Sequence, residues 1–213
     1  MSKYLDYLIE AFQQVEQKYY SWWSIKHFNG KVENQQINYQ RIERVFAFEL
    51  YHQFRKQMEF NSIDFTDLLL NAEPLKSFVY EILATENYLL IDSVNHQHSF
   101  IPDLVLHKGQ DTVGKENQKL TIEIKAQLEP DVKKDLSKLL LMSDKFGFEY
   151  GVFITINSKQ EYITNKIKES FDLNGFKKDV NKYEDLFKRI IILNRKSTHE
   201  IIFKENLFNL LSE

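Results

Sequence analysis

The sequence has no cysteine, six glycines, three prolines and no apolar run of membrane-spanning length. Without cysteine there is no disulfide scaffold and no thiolate zinc centre, so any metal must be held by oxygen or imidazole ligands. The same absence suits a reducing compartment, and a cytoplasmic setting is expected. So few glycines and prolines leave no Gly-rich linker, and no repeat recurs at a period of roughly 20–50 residues. The most apolar stretch, Tyr150 to Ile156, falls far short of the roughly 18–20 residues of a transmembrane helix. The opening MSKYLDYLIE carries acidic residues where an export signal would be apolar, so neither membrane insertion nor secretion is expected. Charge of one sign is lacking too. With 28 Lys+Arg against 31 Asp+Glu the net charge is -3, which excludes bulk attraction to nucleic acid and leaves only a local basic patch.

What the chain does have is apolar bulk. Of 213 residues 43% are hydrophobic and 14% aromatic, enough for one sizeable core and too much for a disordered chain. One domain over 1–213 is expected. From Tyr4 to Tyr20 the apolar positions Leu5, Leu8, Ile9, Phe12, Val15 and Tyr19 recur every three or four residues and predict an amphipathic helix. A polar stretch, 29–40, precedes a second and more apolar helix from Arg41 to Met58. Thr66 to Leu70 and Leu75 to Ala84 read as short helical pieces separated by Pro74, so that the first 85 or so residues are expected to be helical. After Asn87 the period shifts to two. Strands are predicted at Tyr88–Val94, Phe100–His107 and Leu120–Ala126, as an antiparallel meander. Asp131–Lys145 returns to helical spacing, and Tyr150–Ile156 has the continuous apolar character of a fully buried strand. A helix at Glu161–Phe171, another near Tyr183–Phe187, and strands at Arg189–Leu193 and Glu200–Phe203 complete the reading. The fold class is therefore α/β: a helical extension over 1–40, an αβββαβ core over 41–157 with a mixed sheet flanked by helices, and C-terminal helices and short strands over 158–213.

Within the meander, Pro102-Asp103 opens one strand and Glu123-Ile124-Lys125 lies in the middle of the next. Pro-Asp also occurs at Pro130-Asp131, and acidic-x-Lys triplets at Glu16–Lys18 and Asp131–Lys133. Glu16 and Lys18 belong to an amphipathic helix, and Pro130-Asp131 has the character of a helix start. Only Asp103 and the Glu123–Lys125 pair fall on adjacent predicted strands. This arrangement, over about Arg41 to Asn157, resembles the PD-(D/E)xK phosphodiesterase superfamily, the fold of many restriction enzymes, junction resolvases and repair nucleases.

The physical sense of the set is direct. Residues i and i+2 of a strand share a face, so Glu123 and Lys125 project together while Ile122 and Ile124 pack the other side, and Asp103 on the neighbouring strand completes a carboxylate pair. Two carboxylates at one place repel unless a cation separates them, and hard oxygen ligands suit Mg²⁺ or Mn²⁺. The resemblance implies Asp103, Glu123 and the carbonyl of Ile124 as metal ligands, with Lys125 steadying the attacking water or the charge that develops on phosphorus. It also implies an acidic residue on the preceding helix. Glu43 and Glu49 are the two candidates, about 120° apart around the helix. The family pattern favours Glu43, whereas the aromatic run around Glu49, where an unpaired carboxylate would be costly, favours Glu49. Gln127 shares the face of Lys125, and Lys133, Lys134 and Lys138 on the following helix are candidates for phosphate contacts.

The activity so implied is a Mg²⁺-dependent DNA endonuclease of bacterial restriction, anti-phage defence or repair, expected as a homodimer and with partner proteins of such a system. A catalytically silent module with the same core inside a larger complex is the alternative. No Walker A pattern is present, so an ATP-driven step would need another protein. His96, His98 and His107 form a competing imidazole set that would suit zinc. The cluster Tyr19 to Trp23 reads as core rather than as a base-stacking platform.

Overall fold

The computed structural model describes residues 2–20, 35–63, 68–72, 102–108, 117–172 and 176–212. Helix α1, Lys3–Gln14, buries Leu5, Leu8, Ala11 and Phe12 on one stripe. Helix α2, Gln35–Phe60, buries Ile42, Phe46, Leu50, Phe54 and Met58, one apolar residue per turn. The two helices pack together, and Phe46 takes the edges of Phe12 and Tyr20 at centroid distances of 5.6 and 5.7 Å. Tyr20 is thus core, as its setting in the sequence suggests, while Ser21 to Trp23 lie outside the described residues.

Six strands follow: β1 Leu68–Ala72, β2 Leu104–Lys108, β3 Gln118–Lys125, β4 Tyr150–Ile156, β5 Ile190–Arg195 and β6 Phe203–Asn206. They lie side by side in chain order in one mixed sheet. β1, β2 and β3 form an antiparallel meander, β3, β4 and β5 run parallel, and β6 turns back antiparallel on β5. Between β3 and β4 lies helix α3, Lys133–Asp144, and between β4 and β5 lie α4, Gln160–Asp172, and α5, Glu184–Lys188; α6, Leu207–Ser212, ends the described chain. The architecture is α/β, a six-stranded mixed sheet flanked by helices.

Alternation along β3 sorts the two faces. Leu120, Ile122 and Ile124 join Leu104, Leu106, Val152 and Ile154 against α1 and α2. Phe153, Ile190 and Ile192 face the other way, with Leu136, Leu139, Ile163 and Leu210. Helix α3 sits close to the sheet because position 151 is glycine: a Cβ there would stand 2.8 Å from Ile190 Cδ1 and 3.1 Å from Leu139 Cβ. Arg195 ties the layers at the far end. It is 7% exposed, and its guanidinium donates to the carbonyls of Phe12 and Gln13 in the last turn of α1, and to those of Ser197 and Thr198.

One expectation is corrected outright. Of the helical piece expected over Thr66–Leu70, Thr66 and Asp67 lie outside the described residues and the rest is not helix: Leu68–Ala72 is a strand, with Leu68 and Leu70 on the buried face and Leu69 outward. Three consecutive leucines satisfy either period, and pairing with β2 decides for the strand. Both edges of β2 are then taken, so the first strand of the meander is Leu68–Ala72, and the first 85 residues are not uniformly helical. Leu75–Ala84 and Tyr88–Val94 lie outside the described residues. The C-terminal strand runs Phe203–Asn206, three residues later than the sequence suggests, and is followed by α6.

Candidate active site

The meander brings Asp103 beside Glu123. Leu104 pairs with Ile122, and the Asp103 N–H donates to the Ile122 carbonyl at 3.0 Å, so the ladder continues one step beyond β2 and sets Asp103 opposite Glu123. Since Leu104 and Ile122 both face α1 and α2, Asp103 and Glu123 both face α3. Asp103 is fixed further by accepting the Ile124 N–H on Oδ2 at 2.7 Å. Lys125, two residues on from Glu123, shares that face at the end of β3.

Two helices close on this strand end from opposite sides of the sheet. From α2, Glu43 Oε1 lies 3.7 Å from Lys125 Nζ, and its Oε2 accepts the Ala126 N–H at 3.3 Å. From α3, Asp135 Oδ2 lies 3.4 Å from Lys125 Nζ, and Lys138 Nζ lies 2.6 Å from Glu123 Oε1 and 3.7 Å from Asp135 Oδ1. Glu123 is 1% exposed, and the Lys138 ammonium is the cation set against its Oε1.

Crowding of carboxylates under a helix shows in their proton affinities. Desolvation, then repulsion from Asp103, pushes Glu123 well above the ordinary glutamate range, with Lys138 only partly offsetting them. Burial likewise raises Asp103 against the pull of Lys125 and the Ile124 N–H. Burial pushes Glu43 up to about 7, helped by Asp103 and Asp135 and opposed by Lys125. For Lys125 burial works against the charge, but Asp135, Glu43, Glu123 and Asp103 together outweigh it and hold the ammonium above its usual range.

Of the sequence candidates, Asp103, Glu123, Ile124, Lys125 and Glu43 come together. Glu49 does not join them: it accepts a 2.6 Å hydrogen bond from Gln53 one turn along its own helix. Glu43 falls at the angular middle of the Ile42–Phe46–Leu50–Phe54 stripe, Glu49 at its edge, so the aromatic neighbours of Glu49 in sequence are not its neighbours in space. The expectation drawn from that aromatic run is corrected accordingly. Lys138 is likewise turned away from solvent, 6% exposed and set on Glu123, rather than presented on an outer groove. Lys134 is exposed and Lys133 half-buried at the start of α3, and Gln127 lies half-buried just past β3, its carbonyl accepting from Ser158 Oγ. His107 is buried and 3.0 Å from Asn71 across the β1–β2 ladder, while His96 and His98 lie outside the described residues.

Sequence reasoning passed over Asp135. Its signal was present: Asp135 and Lys138 interrupt an apolar helix at a spacing of three, on the side that carries Leu136 and Leu139 toward the sheet.

Hard oxygen donors and charge both suit a divalent cation here. Four carboxyl groups, Glu43, Asp103, Glu123 and Asp135, meet two ammoniums, Lys125 and Lys138, and with every carboxyl ionised the cluster would carry an excess of two negative charges, an excess that their raised proton affinities oppose and that a cation would relieve. The buried Glu123 oxygen, met by the Lys138 ammonium, is a hard anionic donor of the kind a cation would take. Among the described residues no three acidic or imidazole side chains are gathered as a ready metal centre, because the lysines divide the carboxylates between them. Comparison of the chain with protein-family models, curated proteins and solved structures finds no match.

Proposed function

We propose that this protein is a Mg²⁺- or Mn²⁺-dependent phosphodiesterase, a DNA endonuclease with a restriction-endonuclease-like αβββαβ core. The observation that carries the reading is the meeting of Asp103, Glu123, Lys125 and Glu43 at one strand end, in the arrangement by which the sequence resembles the PD-(D/E)xK superfamily. Asp103 and Glu123, with the Ile124 carbonyl, would hold the cation, which when bound would polarise a phosphodiester oxygen and acidify a water.

The protein's own groups supply the rest. Lys125, charged throughout the neutral range, offsets the negative charge that builds on phosphorus. Glu43, with its carboxyl near 7 and within reach of Lys125, is suited to take the proton of the attacking water at neutral pH. Lys133, half-buried, and Lys134, exposed, would steady the phosphate backbone. A homodimer acting on both strands of cytoplasmic DNA, in restriction, anti-phage defence or repair, fits this chemistry.

A second reading has one observation in its favour. Lys138 already neutralises Glu123 at 2.6 Å, as would suit a silent module that keeps the core and binds a partner without cutting. Incubation with supercoiled and linear DNA in Mg²⁺, Mn²⁺ or EDTA separates the two. Cation-dependent cleavage that Asp103→Asn and Glu123→Gln abolish supports the enzyme; no cleavage, with no effect of cation on melting temperature, overturns it in favour of the silent module.

A further inference from the structure

Asp135 and Lys138 stand one turn apart on α3, 4% and 6% exposed, with their charges turned to the sheet. A buried ammonium is tolerated only when matched, and Lys138 has two carboxylates in reach at unequal distances, Glu123 at 2.6 Å and Asp135 at 3.7 Å. The nearer one is also the more deeply buried, at 1% exposed, so Lys138 supplies to Glu123 the positive charge that a small cation would supply.

We propose that Lys138 is a tethered stand-in for the divalent cation: it occupies Glu123 while the site is empty of metal and passes to Asp135 when the cation arrives. This rests on the reading of the cluster as a cation site. The exchange keeps every charge matched. Glu123 and Asp103 turn to the incoming ion, and the Lys138 ammonium closes on Asp135 by rotation of its flexible stem, without movement of the helix.

The arrangement also selects by valence. A monovalent ion gains no more from Glu123 than the ammonium it would displace, whereas a divalent ion doubles the Coulombic attraction. Asp135 is a positioning residue in this scheme, since it contacts neither cation nor phosphate but receives the lysine that must leave.

Calorimetric titration of the full chain with Mn²⁺ tests this, with thermal melts confirming that each variant folds. Lys138→Met, close to lysine in length, removes the competitor and should tighten Mn²⁺ binding about tenfold; Lys138→Gln serves if the methionine variant does not fold. Asp135→Asn should weaken binding about tenfold in the wild-type background and less than about threefold beside Lys138→Met, because no lysine then needs a receiver. Unchanged or weaker binding by the Lys138 variants, or an equal cost of Asp135→Asn in both backgrounds, overturns the exchange. If wild type binds Mn²⁺ and cuts DNA while those results hold, the exchange alone falls. If no protein in the set binds Mn²⁺, the cation-site reading falls with it.

Discussion

Replacing Glu43 by glutamine removes one charge from the crowded strand end at almost constant volume, and its effect can be worked out from the structure. The Glu43 carboxyl is pushed from an ordinary 4.5 up to about 7, chiefly by burial. A raised carboxylate affinity means that the folded state holds the proton over a range where the unfolded chain has released it. Stability from this group is therefore present below about 4.5 and is lost as pH rises through about 7. At about 1.4 kcal/mol per pKa unit, the ionised group costs the cation-free protein about 3 kcal/mol above that window. Glu43→Gln escapes this cost but gives up the 3.7 Å contact with Lys125. The net expectation is a change in relative stability of about 2 kcal/mol in favour of the variant between about pH 5 and about pH 8. Urea unfolding of both proteins in EDTA at the two pH values measures it. A difference that stays flat with pH, or that moves against the variant as pH rises, would refute the claim that Glu43 is held ionised at a cost. Cleavage in Mg²⁺ should fall in the same variant. Glu49→Gln, which loses only the bond from Gln53, should leave both readings close to wild type.

Lys125→Ala should abolish cleavage; because it frees Glu43 and Asp135 from their shared ammonium it should also lower stability by about 1–3 kcal/mol in EDTA, checked by urea unfolding beside the DNA assay. Gly151→Val should destabilise the protein by more than about 2 kcal/mol in the same unfolding assay, since even a Cβ meets Ile190 and Leu139 across the α3 contact. Arg195→Met should cost about 2–4 kcal/mol by loosening α1 from the β5–β6 turn, because the guanidinium donates to backbone carbonyls of both, checked by the same urea unfolding.

Local pattern alone was enough for much of this molecule. β4 could be read residue for residue, since seven nearly unbroken apolar positions between a polar helix end and a turn suit only a strand covered on both faces. The alternation in β3 likewise placed Ile122 and Ile124 on one side and Glu123 and Lys125 on the other, and the structure has them so. These are consequences of period two, which acts over a few residues and is written in them. Where the deciding partner lay far along the chain, local reading lost its hold. Leu68 to Leu70 became a strand because β2 offered an edge about 36 residues away, as the Asn71–His107 contact records. Glu43 rather than Glu49 came to the site because a helix buries a stripe, and the middle of that stripe is set by what packs on it, not by the residues on either side in sequence. The same holds for Lys138 and Asp135. Two charged residues one turn apart look like an exposed face until the sheet beneath supplies Glu123 and Lys125. Periodicity determined which residues share a face, but only tertiary packing decided which faces meet, because charge is stabilised by partners brought together in space.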